Sequence, residues 1–115
     1  SNAMGVALSA LRALFTKLDV TADKIANAGT AGFKKSRADL QEAPSGGVKV
    51  SIGTVDTPGS PLPPADGERE YRESSNVSLE EEMVNLILTQ YAFSANLKTL
   101  QTGDEMRRNL LDIRV

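Results

Sequence analysis

The chain has 115 residues, with 13 basic and 15 acidic side chains, a net charge of −2 and 40% hydrophobic residues. This length suits one domain, and the near-neutral balance supplies no field to draw the chain to nucleic acid or an anionic membrane. Cysteine and histidine are both absent, which removes disulfides, thiolate chemistry, zinc–thiolate sites and the commonest general base. No apolar run approaches the roughly 18 to 20 residues that cross a bilayer.

Residues 1–3, Ser1-Asn2-Ala3 ahead of Met4, read as a remnant of tag removal and are set aside from fold reasoning. Residues 4–37 are expected to form an N-terminal helix and turn. Leu8, Leu11, Phe15, Leu18, Ala22 and Ile25 recur at steps of three and four, a heptad-like seam that predicts a helix from about Met4 to Ala28. Arg12, Lys17, Asp19, Asp23 and Lys24 fall off that seam, as a solvated face would. Thr21 is able to cap a restarted helix, which leaves a break near Val20 open. The segment lacks the charged-then-apolar layout of a cleaved signal peptide.

Asn27, Gly29, Gly32 and Phe33 make up a turn motif. Gly29 suits the left-handed position after a helix, Gly32 a second conformation closed to most residues, and Phe33 restarts the chain as an apolar anchor. Lys34, Lys35 and Arg37 follow. With no aromatic stacking platform beside them, they read as a solvated turn or as salt contacts to acidic neighbours.

Residues 38–73 read as a short β or irregular segment. Val48, Val50 and Ile52 alternate with Lys49 and Ser51, a half-buried strand pattern. Thr57–Pro64 holds four of the five prolines and is expected to be loop. Glu68–Glu73 reads as a return strand with Tyr71 turned inward.

Residues 74–115 contain no proline and a single glycine, Gly103, and predict a helix from about 79 to 113, roughly 50 Å long. Leu79, Met83, Leu86, Phe93, Leu97 and Leu100 form its stripe, and Gln90 occupies the one polar step. Gln90 reads equally as a register-setting residue or as one tolerated at an edge. Ser78-Leu79-Glu80-Glu81 is a capping-box sequence. Glu80, Glu81 and Glu82 suit the positive helix start, and Arg107, Arg108 and Arg114 the other end. Beyond Leu100 the phase slips: Met106, Leu110 and Ile113 continue the stripe, so a bend or change of partner is expected near Gly103.

No nucleophile elbow, phosphate-binding loop or dinucleotide motif is present. The residues point to no enzyme, no cofactor, no metal, no small-molecule substrate and no nucleic-acid partner. They point to a mainly α fold, whose long N- and C-terminal helices pair as a coiled-coil-like hairpin around a short β-hairpin or irregular segment. The surplus length of the second helix is expected to be left over for other chains.

Both ends also carry a resemblance. Ile25-Ala26-Asn27-Ala28-Gly29-Thr30-Ala31-Gly32-Phe33-Lys34 resembles the N-terminal signature of the flagellar basal-body rod and hook family of axial proteins. Ser75-Asn76-Val77, Glu81–Ile87, Gln90, Ala92-Phe93, Ala95-Asn96, Thr102 and Asp104-Glu105-Met106 resemble its C-terminal signature. Asp23-Lys24 and Tyr91 depart from the pattern. The short middle makes the resemblance closest to the small proximal-rod type. It implies a non-catalytic rod subunit in the bacterial basal body, exported through the flagellar type III channel without a cleaved signal and polymerised through its terminal helices. The implied partners are other copies, other rod and hook proteins and the export apparatus. The assembly residues would be Leu8, Leu11, Phe15, Leu18 and Ile25 with Met83, Leu86, Gln90, Phe93, Leu97 and Leu100. The competing reading is a soluble helical adaptor or export-chaperone-like module that places the same stripes on a client peptide.

Overall fold

The computed structural model describes residues 3–113; Ser1, Asn2, Arg114 and Val115 lie outside it. Two helices dominate. Helix α1 spans Ala3–Ala26 and helix α2 spans Leu79–Ile113. Between them come strands β1 (Ser36–Glu42), β2 (Val48–Thr54), β3 (Pro61–Leu62) and β4 (Arg72–Glu73). The molecule measures 80 × 25 × 16 Å, with a radius of gyration of 20.4 Å. A globule of this length would have about 13 Å, so the shape is set by the long helix.

The helices pack antiparallel. Phe15 meets Phe93 edge-on at 5.1 Å between ring centroids, Lys24 Nζ reaches Glu82, and the Met4 side chain lies against Gly103. A Cβ on Gly103 would stand 2.9 Å from Met4 Cγ, so the glycine lets the start of α1 approach. Helix α2 runs unbroken through this point; the expected change near Gly103 is the end of α1, not a bend. Helix α1 is likewise continuous through Val20. Thr21 is 1% exposed, buried inside the helix rather than capping a restart.

The contact line along α2 differs from the predicted stripe. Glu82, Leu86, Thr89, Phe93, Asn96, Leu100 and Gly103, at steps of four and three, are buried or half-buried. Leu79, Met83 and Leu97 are exposed. On α1 the buried residues are Ala7, Ala10, Leu11, Ala13, Leu14, Thr21 and Lys24. Small residues on the inner line let the helix axes approach, and burying Leu11 and Leu14 contributes roughly 1.5 to 3 kcal/mol each.

The other side of α1 carries the β1–β2 hairpin. Its antiparallel register runs from Ser36 opposite Thr54 to Glu42 opposite Val48. Gly46 and Gly47, at φ 90° and 84°, turn the chain, and Gly47 sits so close to Ser9 that a Cβ would meet Ser9 Oγ at 2.6 Å. The Val48 amide donates to that hydroxyl at 2.9 Å. Ala38 is buried beside Val20, Thr21 and Lys24. Val48 and Val50 are half-buried as their alternation predicts, but Ile52 is exposed. The partner of β2 is therefore β1 from Ser36, not a return strand at Glu68–Glu73. Within that expected strand only Arg72–Glu73 pairs, with Pro61–Leu62, which also gives the proline-rich loop two paired residues. Tyr71 is 73% exposed rather than turned inward.

At the helix junction Gly29 has no positive φ; Gly32, at 75°, takes the left-handed conformation. Asn27 ends α1 instead, its side-chain amide donating to the Asp23 carbonyl at 2.9 Å. Half of the expected capping box forms: the Glu81 amide donates to Ser78 Oγ at 3.4 Å, while the Glu81 carboxylate faces Lys35 Nζ at 3.7 Å. The helix-start amide of Glu80, and then the Ser78 hydroxyl, hold the Glu80 carboxyl below its ordinary value. Arg107 and Arg108 both pair with Asp104.

Candidate assembly surface

The three basic residues after the turn all have acidic partners. Lys34 pairs with Glu73 at 2.9 Å, Lys35 with Glu81, and Arg37 with Asp39 at 2.9 Å. Asn76 ties the two ends of the middle segment to the base of α2. Its Oδ1 accepts from the Lys35 amide at 2.8 Å, and its Nδ2 donates to the carbonyls of Val55 at 2.9 Å and Thr57 at 3.0 Å. Its own amide donates to the Phe33 carbonyl. Phe33 is half-buried in this junction. The result is a braced base from which both helices project.

Inside that base lies an ion pair that sequence reasoning missed. Lys24 Nζ stands 2.9 Å from Glu82 Oε1, with side chains 8% and 2% exposed. Asn85 Nδ2 donates to the same oxygen at 3.0 Å. Lys24 was expected on the solvated face and Glu82 as a free charge at the helix start. The usable signal is positional: Glu82 begins the line of fours and threes that runs through Leu86, Thr89 and Phe93, a line whose polar members an apolar pattern does not mark.

Above the base, the predicted seams open to solvent. Leu8, Phe15 and Leu18 are exposed on α1, Phe15 at 55%, whereas Leu11 is buried and Ile25 half-buried. On α2, Met83, Gln90 and Leu97 are exposed, and Leu86, Phe93 and Leu100 half-buried. The seams thus meet along one edge, at Phe15 and Phe93, and otherwise lie beside the true contact line. Where they diverge they leave an apolar groove of about 420 Å³, lined by Leu14, Phe15, Leu18, Leu86, Gln90 and Phe93. Thr89 forms part of its lining, with Oγ1 buried and without a hydrogen-bond partner. Val84, Ile87, Leu88 and Tyr91 add a further exposed apolar strip on α2. A lone monomer rarely leaves this much contiguous apolar surface open.

Fold and surface define the class: an elongated helical pair with a braced base and an open apolar edge. The comparisons place it more narrowly. The family described as "Flagella basal body rod protein" matches residues 4–34, and that described as "Flagellar basal body rod FlgEFG protein C-terminal" matches residues 68–113. Together they take in about two thirds of the chain. The chain is also 48% identical over 40 residues to the flagellar basal-body rod protein FlgG of Buchnera aphidicola subsp. Acyrthosiphon pisum, and equally to that of subsp. Schizaphis graminum. The matched stretch is 35% of this chain and 15% of each relative's length. The chain belongs to the flagellar basal-body rod family.

Proposed function

We propose that the chain is a structural, non-catalytic subunit of the bacterial flagellar rod, exported through the flagellar type III channel and polymerised through its terminal helices. Its partners are other copies, other rod and hook proteins and, during export, the export apparatus. The observation that carries this reading is the outer part of both seams, Leu8, Phe15, Leu18, Met83, Gln90 and Leu97, which stays exposed in the single chain. Phe15, Leu18, Gln90 and Phe93 lie along one edge and are available to neighbours. The helices pair in a coiled-coil-like manner, with the inner line of α2 advancing in fours and threes as a heptad requires. Gln90 acts at the open edge, on the neighbour's register. In the assembled rod, which spans the periplasm, the exposed leucines would be covered; before assembly they would weaken the isolated helices.

The test is fractionation of purified basal bodies. The chain is expected in the rod fraction, at a constant ratio to other rod proteins. Its recovery only from cytosol would overturn the reading in favour of an adaptor or export-chaperone-like module.

A further inference from the structure

Helix α2 outruns its partner. Met4 marks the level of Gly103, and from there α2 continues for ten residues, Asp104–Ile113, with no other element among the described residues beside it. Met106, Leu110, Leu111 and Ile113 are all exposed, Ile113 at 81%. The apolar groove lies further down the same helix.

We infer that the overhang of one copy seats in the groove of the next, so that copies join head to tail through one segment and one groove. The inference rests on the reading of the chain as a polymerising subunit. Three observations select this occupant. First, the spacings match: Met106, Leu110 and Ile113 advance by four and three, as do Leu86, Gln90 and Phe93 on the groove wall. A parallel helix displaced by about 20 residues, or roughly 30 Å, sets each anchor level with a groove residue.

Second, the basic pair of the overhang meets a carboxylate at that same displacement, although Asp104 and Glu105 come level with the exposed Asp23. Antiparallel packing sets Phe15 beside Phe93 and Lys24 beside Glu82, so Asp19, next to the groove residue Leu18, is level with about residue 88. Asp19 is exposed and forms no ion pair among the described residues. The incoming Arg107 and Arg108, which share the single carboxylate of Asp104, arrive at its level. The incoming Lys98 arrives near Glu80, another exposed carboxylate.

Third, the overhang cannot fill its own groove, because both lie on one continuous helix. Every copy therefore offers one unsatisfied segment and one unsatisfied groove. Such a heterologous contact does not close on itself and propagates.

The chain has no cysteine, so paired cysteines give an unambiguous test. The full chain carrying both Gln90→Cys and Leu110→Cys, mildly oxidised, is expected to give a ladder of covalent dimers, trimers and longer species. The two sites are about 30 Å apart within one helix, far beyond disulfide reach, so each bond must join two copies. Each single variant can yield at most dimers. A double variant that forms nothing beyond dimers overturns the docking, whether or not the wild-type chain assembles. Leu110→Asp, which touches no intramolecular contact, is expected to keep its helicity and melting temperature while losing oligomers in sedimentation; oligomers at the wild-type level overturn the proposal. A ladder from a chain that is absent from basal bodies would instead sink the rod reading and leave the head-to-tail contact standing.

Discussion

Replacing Glu82 with Gln strands the Lys24 ammonium inside the base of the molecule. The two charges are 2.9 Å apart; at an effective dielectric constant of about 20 their attraction is about 6 kcal/mol. Desolvating each ion costs several kcal/mol, so the intact pair contributes little net stability. Removing one partner is different, because the desolvation cost of the survivor stays while its attraction goes. Glu82→Gln is therefore expected to destabilise the fold by about 3 to 5 kcal/mol. A domain of this size has about 5 to 15 kcal/mol in total, and among the described residues the buried apolar core is Ala7, Ala10, Leu11, Ala13, Leu14 and Ala38. At about 4 to 8 °C per kcal/mol, the loss lowers the melting temperature by at least about 12 °C. The double variant Lys24→Met with Glu82→Leu removes both ions and is expected to lie within about 1 kcal/mol of the wild type, or above it. The assay is urea denaturation followed by circular dichroism, at concentrations low enough to hold the chain monomeric. A cycle of Lys24→Met, Glu82→Leu and their combination should give a coupling of at least about 2 kcal/mol. A single variant costing less than about 1 kcal/mol, or a double costing the sum of the two singles, refutes the reasoning.

Three further outcomes are expected. Thr89→Val replaces a buried hydroxyl that has no partner with a methyl group of nearly the same shape, and should stabilise by about 1 kcal/mol; destabilisation in urea melts would show that the hydroxyl is satisfied in solution. Asn76→Ala leaves the Lys35 amide and the carbonyls of Val55 and Thr57 without their side-chain partner, at a cost of about 2 to 3 kcal/mol, and amide exchange at Lys35 should accelerate, whereas unchanged exchange would refute the bracing role. The Lys34 hydrogen bond and charge, with the Gly59 amide, hold the Glu73 carboxyl below its ordinary 4.5. A carboxyl depressed in the folded state stabilises above its unfolded value and loses that contribution as pH falls through the folded one. The protection factor of the Ser74 amide, which donates to the Ser60 carbonyl beside the β3–β4 ladder, should therefore fall as pH drops below 4.5, and persistence of that step in Glu73→Gln would count against Glu73 as its source.

Much of this architecture is local and therefore legible in the chain. Periodicity alone marks both helices, and α2 begins where the pattern and its Ser78 cap place it. The turn after α1, the alternation in β2 and the acidic partners of Lys34, Lys35 and Arg37 also depend on neighbours or on simple charge. The family signatures lie in those same terminal segments. What periodicity leaves undetermined is rotation about the helix axis. Two lines on α2, one through Leu79, Met83 and Leu97 and one through Glu82, Thr89 and Asn96, share Leu86, Phe93 and Leu100, and both advance in fours and threes. Only the packed structure chooses, because α1 is covered on two sides, by α2 and by the hairpin. Small and polar residues turn inward where the backbones approach, as Gly103 does under Met4. The large apolar residues are displaced to the edge, so that Lys24 and Glu82 become a buried pair inside while Phe15 and Met83 form an open surface. The β1–β2 pairing is likewise tertiary, since Ser36–Glu42 has little apolar character and becomes a strand by pairing with β2 on the face of α1.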